Sequence, residues 1–227
     1  TVPHLLCNGF TREETEDALI ELNYLGIENV LAVRGDDPGF KKPVPHGRTS
    51  NIYALDLVKQ VMDMNRGKYL EEDLLDASPT NFCIGVSGYP EKHFEAPNLN
   101  TDVKYVKEKI NAGAEYVVTQ MFFNNKYYFD FVKKCRDENI SAPVIPGLKI
   151  LTYKKQLSNI PKNFYVEIPD ELTSEIQAAK PEHVTDISVE WTAKQCEELL
   201  NNGAPSLHFY IMLDSKPIDK LFKRLKI

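Results

Sequence analysis

Short apolar runs and stretches of helical spacing alternate along this chain, and no other feature limits its fold as strongly. The runs cover residues 2–7, 30–33, 82–86, 116–123, 143–148 and 207–213, each bounded by polar or Gly/Pro punctuation. Between and after them, apolar positions three and four apart predict helices. One begins near Arg12 and ends at Gly26; others cover 52–65, 101–112, 127–138, a segment near 153–158, 185–202 and 216–227. Thr11 with Glu14 three residues later is a capping-box pair, which places the first helix start. Alternation of this kind predicts parallel βαβ units, and right-handed crossovers gather the polar strand ends on one side.

The clearest strand, 30–33, is nearly unbroken apolar sequence and reads as buried on both faces. It changes at once into Arg34, Gly35, Asp36, Asp37, Pro38 and Gly39. A cation, a glycine and two carboxylates have no packing reason to follow a buried strand. They suit the mouth of a barrel or sheet, where ligands sit outside the carboxyl ends of parallel strands. A doubly wound sheet and a (β/α)₈ TIM barrel both fit the alternation. Functional-looking residues after nearly every strand, and no glycine-rich nucleotide fingerprint after the first, favour the barrel. A barrel needs eight strands, and six are present. Either two units lie upstream of residue 1 or the barrel reading fails.

With 227 residues, 42% hydrophobic and 26% charged, the chain suits one α/β domain spanning 1–227 with a sizeable core. A net charge of −6 argues against nucleic acid as partner. No apolar run approaches the roughly 20 residues that span a bilayer, and no signal-peptide pattern opens the chain, so no membrane association is expected. Cys7, Cys83, Cys135 and Cys196 lack CxxC spacing and read as reduced thiols of a cytoplasmic protein, with no metal site.

Several residues carry possible chemistry. Arg34-Gly35-Asp36 reads as a cradle for a polar cofactor, with Asp36 lending negative charge to a reacting centre; the plainer reading is a strand-capping turn. The segment 89–96 is dense in aromatic and hydrogen-bonding groups, and Tyr89 and His93 suit a planar heteroaromatic ligand. Gln120 interrupts the apolar run 116–123, where a buried amide needs partners or costs about 1–3 kcal/mol. It reads as a ligand contact at the barrel mouth, against a satisfied core amide. His4 reads first as a core histidine. Tyr53, Asp102, Lys109 and Gln156, taken singly, read as solvated or capping residues.

Together these segments resemble the methylenetetrahydrofolate reductase family of flavoenzymes. The anchors are Pro3-His4-Leu5-Leu6-Cys7, Leu31-Ala32-Val33-Arg34-Gly35-Asp36, Tyr53-Ala54-Leu55-Asp56, Tyr89-Pro90-Glu91 with His93, Glu95 and Ala96, Thr119-Gln120-Met121-Phe122-Phe123, Ile145-Pro146-Gly147-Leu148, and Leu207-His208-Phe209-Tyr210. The resemblance implies an FAD-containing (β/α)₈ barrel of which strands three to eight are present. It implies reduction of 5,10-methylenetetrahydrofolate to 5-methyltetrahydrofolate with NADH or NADPH as donor, by ping-pong kinetics, in one-carbon metabolism and methionine biosynthesis. It further implies a homo-oligomer.

On matching positions, His4, Arg34, Gly35, Asp36, Tyr53, Ala54, Tyr89, His93, Ala96, Asp102 and Lys109 would contact FAD, and Gln120 and Gln156 the folate. Asp36 would be the catalytic residue within the chain, while the family's general-acid glutamate would lie upstream of Thr1. Where many members have an arginine for the folate's glutamate tail, this chain has Asp214. Tyr105 and Glu108 also replace FAD-contacting polar or basic residues. The alternative implied is a related flavoprotein with an altered pterin substrate or electron donor.

Overall fold

The first helix begins where its sequence places it. Thr11 Oγ1 accepts from Glu14 N and Glu14 Oε2 accepts from Thr11 N, closing the capping box of α1 (Arg12–Tyr24). The computed structural model describes residues 2–35, 42–211 and 214–226. Ahead of α1 lies β1 (His4–Leu6). Then follow β2 (Asn29–Val33), α2 (Ala54–Met64), β3 (Cys83–Gly88), α3 (Leu99–Asn111), β4 (Tyr116–Thr119), α4 (Asn125–Asp137), β5 (Val144–Ile145), β6 (Gly147–Leu148), α5 (Gln156–Phe164), α6 (Asp170–Ala178), a 3₁₀ turn at Pro181–His183, α7 (Val184–Asn201), β7 (His208–Phe209) and α8 (Lys216–Leu225).

The chain divides into two compact units, one of Thr1–Ser87 with Tyr105–Val117, the other of Gly88–Lys104 with Val118–Ile227. The boundary runs through β3, α3 and β4.

In the first unit β1, β2 and β3 are parallel neighbours in chain order, with Leu5 opposite Ala32 and Leu31 opposite Gly85. Val30, Leu31 and Ala32 are buried, so β2 is covered on both faces as its unbroken apolar run requires. Leu57, Val58, Val61 and Met64 make the buried stripe of α2. Beside β2, Gly85 exists because Tyr116 crosses it: a Cβ there would sit 2.2 Å from the ring, whose hydroxyl donates to Val30 O.

In the second unit β4 neighbours β5, and β6 pairs parallel with β7. The apolar run 143–148 forms two strands because Pro146 lacks the N–H a ladder needs. The Pro146 carbonyl still accepts from His208 N, and Leu148 O from Tyr210 N. One interrupted strand thus serves β4 on one side and β7 on the other. Neighbouring strands are consecutive in sequence, which fits a barrel wall and not the reversal of strand order in a doubly wound sheet. Met121, Phe123, Leu151, Ile160, Leu172, Ile176 and Val184 form the core of this unit.

Three further expectations change. Strand β4 stops at Thr119, so Gln120 lies just past its end and not within a buried strand. Helix α5 continues through Pro161 to Phe164, where the sequence pattern stopped at 158. Helix α6 was not foreseen, although buried Leu172 and Ile176 stand four apart behind acidic Asp170 and Glu171. Among the described residues no helix is long and apolar enough to cross a membrane.

Candidate active site

Strand ends carry the candidate residues in both units. In the first unit, the ends of β1 and β2 are tied together: Cys7 N donates to Val33 O, and Asn8 N to Arg34 O at 2.9 Å. Asn8 Nδ2 then donates to Gly35 O at 3.0 Å, so a side chain from the β1 end holds the glycine turn. Gly35 has φ +85, a region that favours glycine, and a Cβ there would lie 3.4 Å from Leu6. His4 stands on the exposed side of β1, and partial burial lowers its pKa. Tyr53 and Ala54 open α2, where Asp56 Oδ2 accepts from Tyr53 N. Lys109, on α3, donates through Nζ to Ser87 O at 2.8 Å. Asp36 lies outside the described residues.

In the second unit, the segment after β3 folds around His93. Its ring meets Tyr89 edge-on with centroids 4.7 Å apart, and Phe94 at 4.6 Å. Nδ1 accepts from Glu95 N, which places the neutral ring's proton on Nε2. The His93 backbone is pinned on both sides, its N–H donating to buried Asp102 and its carbonyl accepting from Ala96 N. Asp102 and Ala96 therefore shape this loop, whatever else they touch. Gln120 N donates to Gly88 O, aligning the ends of β4 and β3, and its Oε1 accepts from Met121 N. Gln156 is buried and its Oε1 accepts from Thr152 N and Tyr153 N, closing the turn into α5.

Asp214, the residue in place of an arginine, accepts through Oδ1 from Lys216 N at the start of α8. Its charge thus has a local use at a helix N-terminus.

Two residues escaped the sequence reading. Glu91 is half-buried; Oε2 accepts from Glu167 N at 2.7 Å, while Oε1 is buried with no partner among the described residues. Burial above all pushes its carboxyl up to about 7. It lines a cleft of about 580 Å³ with Lys92, Tyr127 and Lys133, a cleft that does not include Tyr89, His93 or Gln120. Lys149 follows β6 directly and donates to Tyr210 O. A signal for it existed, since Leu148-Lys149 repeats the strand-then-cation order of Val33-Arg34.

Comparisons with known proteins bear on these sites. A family model described as "Methylenetetrahydrofolate reductase" matches residues 1–226. A Caenorhabditis elegans protein named probable methylenetetrahydrofolate reductase (NADPH) is 31% identical over 99% of this chain and 32% of its own length. Methylenetetrahydrofolate reductase (NADH) 1 of Arabidopsis thaliana is 32% identical over 93% of this chain and 36% of its own. The 5,10-methylenetetrahydrofolate reductase of Buchnera aphidicola is 33% identical over 95% of this chain and 67% of its own. The chain spans about a third of the length of those two eukaryotic relatives.

Among solved structures, an uncharacterised protein from Clostridium thermocellum that binds two copies of 5-methyl-5,6,7,8-tetrahydrofolic acid has a similar fold. Its TM-score is 0.59 at 16% identity, covering 99% of this chain and 71% of that one. The fold is α/β of the TIM-barrel type. The match over residues 1–226 settles the kinship: the chain belongs to the methylenetetrahydrofolate reductase family.

Proposed function

We propose that this chain is the catalytic part of a flavin-dependent enzyme that reduces 5,10-methylenetetrahydrofolate to 5-methyltetrahydrofolate with NADH or NADPH. The family match along the whole chain carries the reading. Its relatives bear names of both donor types, so the donor is left as either nicotinamide. The methyltetrahydrofolate bound by the fold neighbour is of the product class.

Each unit, taken by itself, brings donors that suit part of FAD. Gly35, held by Asn8, exposes backbone in a positive-φ turn that a side chain would strain. Arg34 and Lys109 bring cations fit for a pyrophosphate. Tyr89 and His93 bring an aromatic edge and an Nε2 proton. When bound, FAD would supply two-electron hydride-transfer chemistry between the nicotinamide and the folate. Asp36 stabilises cationic character on the folate as its methylene bridge opens. Gln120 and Gln156 would orient the pterin: each has Oε1 engaged by backbone N–H groups, so its amide N–H₂ is the part that could donate to a ligand.

A related flavoprotein with a changed pterin substrate or electron donor was suggested by Asp214, but that carboxylate has a capping role here. The test uses purified full-length protein. Bound FAD, and oxidation of NADH or NADPH dependent on methylenetetrahydrofolate, are expected. A colourless protein that takes up no FAD overturns the reading, and turnover only with reduced ferredoxin moves it to the alternative.

A further inference from the structure

Lys149 is a half-buried ammonium whose one hydrogen bond among the described residues goes to a neutral acceptor, Tyr210 O at 2.8 Å. It forms no ion pair among those residues, and burial lowers its pKa. A half-buried cation without an opposite charge loses part of its hydration, and an ammonium has three donors to place. Something on this face of the molecule is suited to the remaining two.

The face is defined by Gly147. Lys149, the residue after β6, reaches Tyr210, the same residue whose ring a Cβ on Gly147 would meet. A Cβ on Gly147 would meet Thr119 O at 2.2 Å and the Tyr210 ring at 2.7 Å, so this side looks toward Thr119 and Tyr210. Tyr210 Oη donates to Thr119 O, His208 packs edge-on against the Tyr210 ring, and Gln120 follows Thr119 directly. The cation therefore stands at the same strand ends as a residue already assigned to the folate.

We propose that Lys149 is a substrate-binding residue, donating to a negatively charged or strongly accepting oxygen of the folate: the pterin 4-oxo group or a carboxylate of the glutamate tail. This rests on the folate reading above. It gives the chain a cation for its substrate from β6, whereas the position after β7 holds Asp214.

The test compares full-length wild type with Lys149→Met and Lys149→Arg. It measures binding of 5-methyltetrahydrofolate and of 5-methyltetrahydropteroate, which lacks the tail, together with FAD affinity and Tm. Lys149→Met is expected to weaken methyltetrahydrofolate binding roughly tenfold or more, as for loss of a charge-assisted hydrogen bond. FAD affinity and Tm should stay near wild type, and Lys149→Arg should recover most of the loss. A loss shared by the pteroate identifies the pterin oxygen; a loss confined to the folate identifies the tail. Unchanged folate affinity in Lys149→Met, or a loss of FAD affinity or Tm that accounts for it, overturns the inference alone. A wild-type protein that binds FAD but neither pterin overturns the folate reading and the inference with it.

Discussion

The backbone N–H of His93 donates to Oδ2 of Asp102 over 2.8 Å, tying the loop after β3 to the first turn of α3. Asp102 is 4% exposed, so the acceptor of this part-buried bond is largely shielded from water. Together with the bond from Glu95 N to Nδ1, it helps hold His93 edge-on against Tyr89.

Replacing Asp102 by Ala should cost about 1–3 kcal/mol of stability, because a part-buried backbone donor loses its acceptor. Asp102→Asn keeps an acceptor and should cost less. Urea denaturation gives the ordering, and faster hydrogen exchange at the His93 amide locates the effect. Equal stability of all three proteins would remove Asp102 from its anchoring role.

Gly147→Ala should destabilise by about 3 kcal/mol or more. The added carbon meets a backbone carbonyl at 2.2 Å, and a carbonyl cannot swing aside as a side-chain tip can. A thermal scan reading wild-type Tm for this variant would contradict the described packing of β6 against Thr119.

Glu91 should make stability fall as pH rises from 4.5 to about 7. Burial is the main cause of its raised pKa; the bond from Glu167 N opposes the shift, and the charge of Glu167 adds to it. A carboxyl whose folded pKa is raised binds its proton more tightly folded than unfolded. The penalty is therefore absent below 4.5, grows through that window and stays constant above it. Lys92, Tyr127, Asp130, Lys133, Lys134 and Asp137 line the same cleft and are shared by both proteins, so they cancel in the comparison. Glu91→Gln retains an acceptor for Glu167 N, so its Tm relative to wild type should climb over that interval. Parallel Tm curves would refute the shift.

Cys7, Cys135 and Cys196 should resist thiol reagents in the folded protein. Burial pushes each thiol up to about 12, leaving almost no thiolate near neutral pH. Cys83, half-buried, is raised as well. Mass spectrometry after labelling at about pH 8 should find the first three modified only once denaturant is present.

Asp36→Asn tests the proposed chemistry itself. FAD should remain bound while folate reduction falls sharply and the nicotinamide half-reaction persists, a split visible by following flavin absorbance with each substrate in turn. Undiminished folate turnover would take the catalytic role from Asp36.

Gln120 shows how far the sequence reading reached and where it stopped. Its place within the apolar run 116–123 was legible and read as inside a strand, whereas β4 ends at Thr119 and Gln120 follows it. That depended on Gly88 O accepting from Gln120 N, a bond to another strand's end. Pro146 was read as part of one strand and in fact divides two, because its missing N–H matters only once β4 and β7 flank it. Glu91 and Lys149 are ordinary charged residues in sequence; their burial makes them unusual.

The sequence by itself determined the alternation of elements, the capping box at Thr11 and Glu14, the double burial of β2 and the family, since each rests on residues within a few positions of one another or on ordered short motifs. Only the tertiary structure decided the joining of Thr119, Gly147 and Tyr210, whose bonds span 28 and 91 residues, and the environments of Glu91 and Lys149. Hydrophobic periodicity and capping act over one or two turns of chain. The dielectric around a charge, by contrast, is set by whatever distant segments pack against it.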